Sequence, residues 1–365
     1  MSTLKFSRSL PEGFFRTLNS RVNSYFKTNQ IERTGDYRMY LKTLVMLALY
    51  FVPLTLILTG VITSWWVVLA FLIMGVGMSG IGLCIMHDAN HGSYSSNKVV
   101  NKLMSYTINA VGGSSFTWKI QHNVLHHTYT NMYELDEDID DKPFLRLSPH
   151  GVMKSYHKFQ HIYALLIYSL ATVSWIVYKD FKQLVSYNRD GLTRKNGYHP
   201  TLETVAMILY KALYIVSVIV LPIAVGVPWY IVVIGFVLMH LFSGLYITTI
   251  FQLAHVVEGP EHSAVSQHGQ GSVENTWAIH QLLTTANFST QSKWVTWISG
   301  GLNHQIEHHL FPNICHVHYP QIAKIVRQTV ADFNLPYYEH ERFMIALRSH
   351  LQTLKEFGNA PVAIA

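Results

Sequence analysis

The chain alternates long apolar blocks with long polar segments. One block covers residues 41–60, and after a short link a second runs from Trp65 to Met86. Two more blocks follow at 205–227 and 229–253, joined by an uncharged turn. Each block is long enough to cross a hydrocarbon core of about 30 Å as a helix. The pattern therefore predicts four transmembrane helices in two hairpins.

A fifth apolar stretch, from His161 to Tyr178, is just long enough to span a membrane. We interpret it as an interfacial helix, because a fifth span would put the histidine clusters described below on opposite sides of the bilayer. The short turns within the two hairpins carry no Lys or Arg, whereas the polar segments carry many. Since cytoplasmic segments are enriched in these residues, the polar segments and both termini are expected to face the cytoplasm.

Three parts are expected along the chain. Residues 1–40 are polar and charged, and we interpret them as an N-terminal arm that is partly helical and lies at the surface. A membrane domain covers 41–340, and a C-terminal tail covers 341–365. No apolar segment of signal-peptide type occurs near the start. The expected fold class is an all-α integral membrane protein, with a cytosolic helical cap that carries a histidine-rich site for two metal ions.

The composition supports a membrane protein. The 365 residues are 49% hydrophobic and 13% charged, against about 25% charged in an average soluble domain. The formal net charge is +6, but Lys and Arg flank the apolar blocks and form no basic stripe with aromatic residues. Membrane lipid, and not nucleic acid, is therefore the expected anionic partner. Cys84 and Cys315 are the only cysteines, so neither a disulfide framework nor a zinc ribbon is encoded.

The second apolar block contains a G-x-G-x-x-G pattern, formed by Gly75, Gly77 and Gly80. In a dinucleotide-binding turn this pattern joins a strand to a helix within a βαβ unit. Here it lies inside a continuous apolar run that follows another apolar run. We therefore reject nucleotide binding and interpret the small residues as points where membrane helices approach closely.

Histidine is unusually abundant, with 21 residues. Three clusters, HDANH, HNVLHH and HQIEHH, contain His87 and His91; His122, His126 and His127; and His304, His308 and His309. Residues four apart in an α-helix share one face, so each cluster offers two imidazoles to one point. The extra adjacent histidine points about 100° away, which suits a second metal. The clusters therefore predict a site for two metal ions.

Other residues are candidates for supporting roles. His255 follows the fourth apolar block and is expected to be a further ligand, because a histidine at a membrane helix end is costly without a partner. Asp88 and Glu307 lie inside the clusters and are candidates for orienting ligand imidazoles. The acidic run that contains Asp136 and Asp138 fits either that role or a solvated loop.

The clusters resemble the histidine boxes of the membrane-bound fatty acid desaturases. The segments NHQIEHHLFP, HHTYTN and DEDID are most similar to front-end and linoleoyl-type acyl desaturases, and the resemblance covers about residues 40 to 340. It implies four spans, boxes that face the cytosol and two non-haem iron ions. The haem-binding HPGG of a fused cytochrome b5 domain does not occur in this sequence, whose only His-Pro pair is followed by Thr201.

The third box leaves two candidates open. Front-end desaturases have glutamine at the head of this box, which matches Gln305. His304 beside it completes an H-x-x-x-H-H pattern like that of the second cluster. His304 is slightly preferred as a metal ligand because a neutral imidazole is a good donor to iron, and Gln305 is then a supporting residue.

The expected chemistry is oxidation of an alkyl chain. Imidazole binds several transition metals, but removing hydrogen from an unactivated C–H bond needs an oxidant made from dioxygen and electrons, which iron supports and zinc does not. We expect a cis double bond in a fatty acyl chain carried on coenzyme A or a glycerolipid. No catalytic residue beyond the metal ligands is required. A separate electron donor is implied: cytochrome b5, a ferredoxin or a flavoprotein reductase.

Alternative functions use the same residue types. A di-iron hydroxylase of the same superfamily would differ only in its product. A membrane haem carrier would place histidine pairs on facing helices within the bilayer, whereas these clusters lie in tandem outside it. A metal transporter would need polar groups along its spans, and the first, second and fourth blocks have almost none.

Overall fold

The structure is a computed structural model that describes residues 4–7, 13–140, 142–267 and 272–359. The chain forms two compact units. Unit 1 contains the described parts of 1–36, 121–164 and 250–365, and unit 2 contains 37–120 and 165–249.

Helices account for most of the described chain. In order they are α1 Phe14–Asn29, α2 Tyr37–Leu58, α3 Trp66–Gly80, α4 His87–Asn90, α5 Lys98–Ser105, α6 Thr107–Ala110, α7 Ser115–Lys119, α8 His127–Tyr129, α9 Gln160–Ser169, α10 Ala171–Ser174, α11 Asp180–Arg189, α12 Leu192–Lys195, α13 Pro200–Ile215, α14 Leu221–Ala224, α15 Trp229–Gln252, α16 Trp277–Leu283, α17 Lys293–Ile298, α18 Gln305–Leu310, α19 Tyr319–Asp332 and α20 Phe343–Asn359. Four π-helices occupy Ile81–Met86, Ile120–His126, Trp175–Lys179 and Val216–Val220, and short 3₁₀ turns occupy Ser155–Phe159, Val265–Gln267 and His316–His318.

Four helices of the described chain are long and apolar enough to cross a membrane. They are span 1, Tyr37–Leu58; span 2, Trp66–Asn90; span 3, Pro200–Ala224; and span 4, Trp229–Gln252. Unit 2 holds them, apart from the last turn of span 4. The predicted all-α membrane fold with four apolar helices is confirmed, and the side on which each polar segment lies stays a prediction.

Span 2 packs closely on its neighbours at its glycines. A Cβ atom on Gly77 would lie 2.6 Å from the backbone nitrogen of Tyr50 in span 1. A Cβ atom on Gly75 would lie 3.1 Å from the carbonyl oxygen of Met239 in span 4, and Ser243 donates a hydrogen bond of 3.0 Å to the Gly75 carbonyl. The small residues therefore serve helix packing, in agreement with the sequence interpretation.

The fifth apolar stretch is not one straight helix. It lies in a pair of helical segments, Ser155–Ser169 and Ala171–Arg189, that are bent by 57° at the break between them. The pair is apolar enough to cross a membrane only if the two segments are taken together. Its interpretation as an interfacial element stays a prediction.

Helix α1 is packed into unit 1. Its residues Phe14, Leu18, Val22 and Phe26 recur every four positions, are buried, and pack with residues of α16, α18 and α19. Arg21 on the neighbouring face donates a 3.0 Å hydrogen bond to Thr329. Residues 1–40 are partly helical, as expected, but this helix is not a free arm, because the apolar stripe within its polar composition packs one face into unit 1.

Short parallel strand pairs join distant segments of unit 1. The strands are β1 Lys5–Phe6, β2 Met132–Tyr133, β3 Ser263–Ala264, β4 Ser272–Val273, β5 Asn287–Phe288 and β6 Glu339–His340, and they pair as β1 with β4, β2 with β3 and β5 with β6. Pairing of Met132 with Ser263 places the segment after the second cluster beside the segment after span 4. Near the C-terminus, α20 buries His350, whose Nδ1 lies 2.6 Å from the carbonyl oxygen of Val256.

Candidate metal centre

The second histidine cluster lies on the π-helix Ile120–His126, which continues into α8. Hydrogen bonds in a π-helix run from residue i to i+5, so residues five apart come together on one face. The Nε2 atoms of His122 and His127 accordingly lie 3.2 Å apart. The sequence interpretation paired His122 with His126, and the ligand atoms of these two residues do lie within 4.8 Å of each other, in a group with Asp138. The same interpretation turned His127 away because it assumed an α-helix, and the π-helix instead brings His127 to His122.

His126 joins residues from two other elements. Its ligand atom and those of His255, just after span 4, and His309, on α18, all lie within 4.8 Å of one another. The three imidazoles are completely buried. Among the described residues, Nε2 of His126 has no hydrogen-bond partner. A buried ring nitrogen of this kind fits a metal ligand.

A second group contains His127, His308 and His309, whose ligand atoms also lie within 4.8 Å of one another. The Nε2 atoms of His127 and His308 are 3.0 Å apart. Metal–imidazole bonds of about 2.1 Å at right angles place the nitrogens of adjacent ligands about 3 Å apart. The spacing of His122, His127 and His308 therefore matches the edges of a metal coordination shell. His309 is common to both groups.

Neighbouring side chains hold several of these rings through Nδ1. His126 Nδ1 lies 2.9 Å from Asp136 Oδ2, and His309 Nδ1 lies 2.7 Å from Gln281 Oε1. His308 Nδ1 lies 3.1 Å from the Tyr319 hydroxyl. Metal-binding histidines usually donate the second ring N–H to such a partner, which fixes the tautomer and the ring orientation. These contacts leave Nε2 for the metal.

The pKa values of His126 and His255 are shifted in opposite directions. Burial lowers the pKa of His126, but the adjacent Asp136 carboxylate outweighs burial and raises it. Burial raises the pKa of Asp136, whereas His126 and the backbone N–H groups of Asp138 and Asn131 lower it, and the net direction is down. Burial, followed by the charge of His126, lowers the pKa of His255. The direction of this shift favours the neutral imidazole of His255, which is the form that binds a metal.

Asn131 connects three segments around this group. Its φ of 55° lies in the left-handed region, which asparagine tolerates better than most residues. Its Nδ2 lies 3.1 Å from the carbonyl oxygens of both His255 and Thr284, and its backbone N–H donates to Asp136 Oδ2 at 3.0 Å. Asn131 was not singled out from the sequence, although it is the last residue of the HHTYTN segment.

The third box is split by the start of α18. The helix begins at Gln305, and His304 lies at its N-cap with φ −107° and ψ 58°. Nε2 of Gln305 lies 3.0 Å from His255 Nε2 and 3.3 Å from His309 Nε2. His304 instead lies 3.4 Å from the Thr296 hydroxyl, and burial lowers its pKa to about 3. The spacing of the box would pair His304 with His308 if the helix included His304. Because α18 begins one residue later, the structure brings Gln305, not His304, to the histidine groups.

Glu307 anchors α18. It is completely buried and accepts hydrogen bonds from Asn287 Nδ2 at 2.7 Å and from the Tyr337 hydroxyl at 3.0 Å. Burial raises the pKa of Glu307 to about 7, although these hydrogen bonds oppose the shift. Asn287 also accepts the backbone N–H of Ile306 at 2.9 Å. The hydrogen-bond partners of Glu307 are Asn287 and Tyr337, and its Oε2 lies 3.8 Å from Nδ1 of His304. A role of Glu307 in orienting a ligand imidazole stays a prediction.

The first box lies in unit 2, where span 2 changes from the π-helix Ile81–Met86 to α4. The rings of His87 and His91 are 4.9 Å apart, as expected for residues one turn apart. Trp118 of α7 packs edge-on against both rings, at 5.5 Å and 5.9 Å. Asp88 Oδ1 lies 3.8 Å from His87 Nδ1. Trp118 was not singled out in the sequence, because nothing near it marks it as a partner of the box.

Comparison with known proteins identifies the family. The sequence model of the fatty acid desaturase family matches residues 63–341. The chain belongs to the fatty acid desaturase family. It is 35% identical to the sn-1 linoleoyl-lipid 6-desaturase of Arthrospira platensis, over 99% of this chain and 96% of that protein.

Two further relatives support the same conclusion. The sn-1 linoleoyl-lipid 6-desaturase of Synechocystis sp. is 34% identical, over 98% of both chains. The acyl-lipid (8-3)-desaturase of Physcomitrium patens is 36% identical, over 98% of this chain and 74% of that protein. The resemblance to acyl desaturases, and with it an oxidoreductase function on fatty acyl chains, is confirmed.

Proposed function

We propose that this desaturase inserts a cis double bond near the carboxyl end of a fatty acyl chain carried on a glycerolipid. The supporting observation is the near full-length similarity to two enzymes named linoleoyl-lipid 6-desaturase, at 35% and 34% identity. The sequence left coenzyme A and a glycerolipid open as acyl carriers. The names of these relatives favour the glycerolipid.

The histidine groups fit a pair of iron ions. Neutral imidazole is a suitable ligand for iron, and the buried Nε2 atoms of unit 1 are oriented by their Nδ1 contacts. The proposed ligands are His87, His91, His122, His126, His127, His255, His308 and His309. Gln305 is proposed to act beside His255 and His309, in the role that the histidine spacing predicted for His304. When bound, the irons supply the activation of dioxygen.

The side chains of the protein hold the ligands and exclude water. Asp136, Gln281 and Tyr319 orient the rings of His126, His309 and His308. The complete burial of His126, His308 and His309 limits access of bulk water. The overall reaction removes one hydrogen from each of two adjacent methylenes and, with two electrons and two protons, reduces dioxygen to two waters. A separate cytochrome b5, ferredoxin or flavoprotein reductase supplies the electrons, and the site and both termini face the cytoplasm.

Expression in a host that lacks polyunsaturated lipids tests the reaction. We expect new double bonds near the carboxyl end of acyl chains, appearing in glycerolipids before the acyl-CoA pool, as measured by mass spectrometry of each fraction. The matched control is His126→Ala, which removes one proposed ligand. A hydroxylated product would favour the hydroxylase alternative, and first appearance in acyl-CoA would contradict the proposed carrier.

Metal content tests the site independently of turnover. Purified protein should contain about two non-haem irons per chain, as in other two-metal sites. His126→Ala and His309→Ala should lower that content while the protein stays in the membrane fraction. A Soret absorption band would instead indicate a haem protein.

A further inference from the structure

Helix α5, which follows the first box, turns apolar side chains outward. Val99 and Leu103, one turn apart, are 64% and 58% exposed. Asn101 and Ser105 on the other side of the helix are buried. A surface helix of a soluble protein has the reverse arrangement. An apolar outer face on a helix in the unit that holds the membrane spans is typical of a helix lying in the lipid interface.

Helix α5 is tied to the loop that follows His91. The side-chain amide of Asn101 donates to the carbonyl oxygens of Ser95 at 2.6 Å and of Gly92 at 3.3 Å, and its oxygen accepts the Ser95 N–H at 3.0 Å. Asn97 caps the start of the helix by accepting the Val99 N–H at 2.8 Å. These bonds fix the position of α5 relative to the first box.

Two lysines beside the first box form no salt bridge in the part of the chain that the structure describes. Lys102 lies on α5, and Lys119 ends α7 directly after Trp118, whose ring packs on the first box. Neither ammonium group makes a hydrogen bond or a salt bridge to a described residue. Burial, followed by the charge of Lys102, lowers the pKa of Lys119. Burial raises the pKa of Glu203, and the charge of Lys102 opposes that shift without a salt bridge between the two residues.

We propose that Lys102 and Lys119 bind the phosphate-bearing headgroup of an anionic glycerolipid, while Val99 and Leu103 contact the acyl region of the same leaflet. Two cations whose charges act on each other suit one anionic headgroup. The exposed apolar face of α5, which carries Lys102, favours a lipid over a soluble anion. This inference rests on the proposed function. A headgroup held beside His87 and His91 keeps the carboxyl end of its acyl chain near the first box, as a double bond close to that end requires.

Lipid retention tests the site without turnover. Full-length iron-loaded protein is mixed with phosphatidylglycerol and phosphatidylcholine, and the retained lipid is counted by native mass spectrometry. Wild type should prefer phosphatidylglycerol, and Lys102→Gln with Lys119→Gln should reduce that preference by about fivefold for each lysine removed. The matched control is Lys195→Gln, which replaces an exposed lysine of the same unit. This variant should keep the wild-type preference for phosphatidylglycerol. An equal preference for phosphatidylglycerol in the double variant and the wild type would contradict the proposed headgroup site.

Two further experiments test whether the site depends on charge and whether it binds a lipid or free phosphate. Replacing both lysines with arginine should restore the preference, so a loss in the glutamine variant followed by no rescue would contradict a charge-based site. Inorganic phosphate should not displace the lipid; displacement would indicate a site for free phosphate and overturn the lipid assignment. In turnover, the glutamine variant should raise KM for chains carried on phosphatidylglycerol, with kcat unchanged.

The binding and turnover results also separate this site from the proposed function. Selective retention by a protein that makes no double bonds would contradict the proposed function alone. Normal desaturation with equal lipid retention in all variants would contradict the headgroup site alone.

Discussion

Gln305 and His304 are adjacent in sequence but have different surroundings. Gln305 lies within 3.3 Å of the ring nitrogens of His255 and His309, whereas His304 faces Thr296 and Glu307. We expect Gln305→Ala to lower iron content and to reduce activity about 10–100-fold, in the range typical of residues that support a metal ligand. His304→Phe should keep its iron. Loss of iron confined to His304→Phe would instead support His304 as the metal ligand, as the histidine spacing predicted.

Asp136 has the clearest supporting role among the acidic residues. Its carboxylate accepts the backbone N–H of Asn131 and contacts Nδ1 of His126, and all three residues are buried. We expect Asp136→Asn to lower iron affinity or activity about 10–100-fold. Glu134→Gln, an exposed change in the same acidic run, is the matched control and should have no effect. Equal activity and iron content in both variants would show that the run is only a solvated loop.

At the residue scale, the sequence points to candidates whose pattern is local. Histidine spacing indicates the boxes, and the end of a span indicates His255, and their role as metal ligands stays a prediction. Gln281, Tyr319 and Asn131 could not be found in this way, because they reach the rings from other elements. Nothing in the residues near Tyr319 shows that its hydroxyl lies 3.1 Å from His308.

At the scale of elements, residue spacing in the sequence does not predict the π-helices. Periodicity assumes a fixed number of residues per turn, and the π-helix Ile120–His126 changes that number within the second box. His122 and His127 therefore meet, although α-helical spacing would separate them. A second π-helix, Ile81–Met86, leads into the first box. Such insertions are frequently found at functional sites.

The packing of span 2 on span 1 gives a prediction for a pair of glycines. A Cβ atom on Gly77 would lie 2.6 Å from Tyr50 N and 2.9 Å from the Leu49 carbonyl carbon, both backbone atoms that cannot move aside independently. We expect Gly77→Ala to destabilise the protein by about 1–3 kcal/mol, as other overpacked sites do. A Cβ atom on Gly82 meets only the flexible end of Ile247, at 3.4 Å, so Gly82→Ala is the control. Thermal unfolding in detergent measures both, and similar melting temperatures would contradict the packing argument.

At the scale of the whole molecule, hydropathy alone located the four spans. Their observed bounds differ from the predicted ones by a few residues, because charged and polar residues begin or end these helices. The division into units was not predictable from local patterns. Unit 1 combines the N-terminal helix, two of the boxes and the C-terminal helix, and pairings such as Lys5 with Ser272 join residues that carry no shared sequence signal.

The number of crossings can be measured with reporters along the chain. The turns near Thr63 and Val227 carry no Lys or Arg, so reporters there should lie opposite the cytoplasm, whereas tags on both termini and near Lys142 should face it. The bent pair between Ser155 and Arg189 is the only uncertain crossing among the described helices. Reporters at Lys142 and Lys195 flank it and should be on the same side if the pair lies in the interface. Opposite sides would make it a fifth span, and would also place the two termini on opposite sides of the membrane.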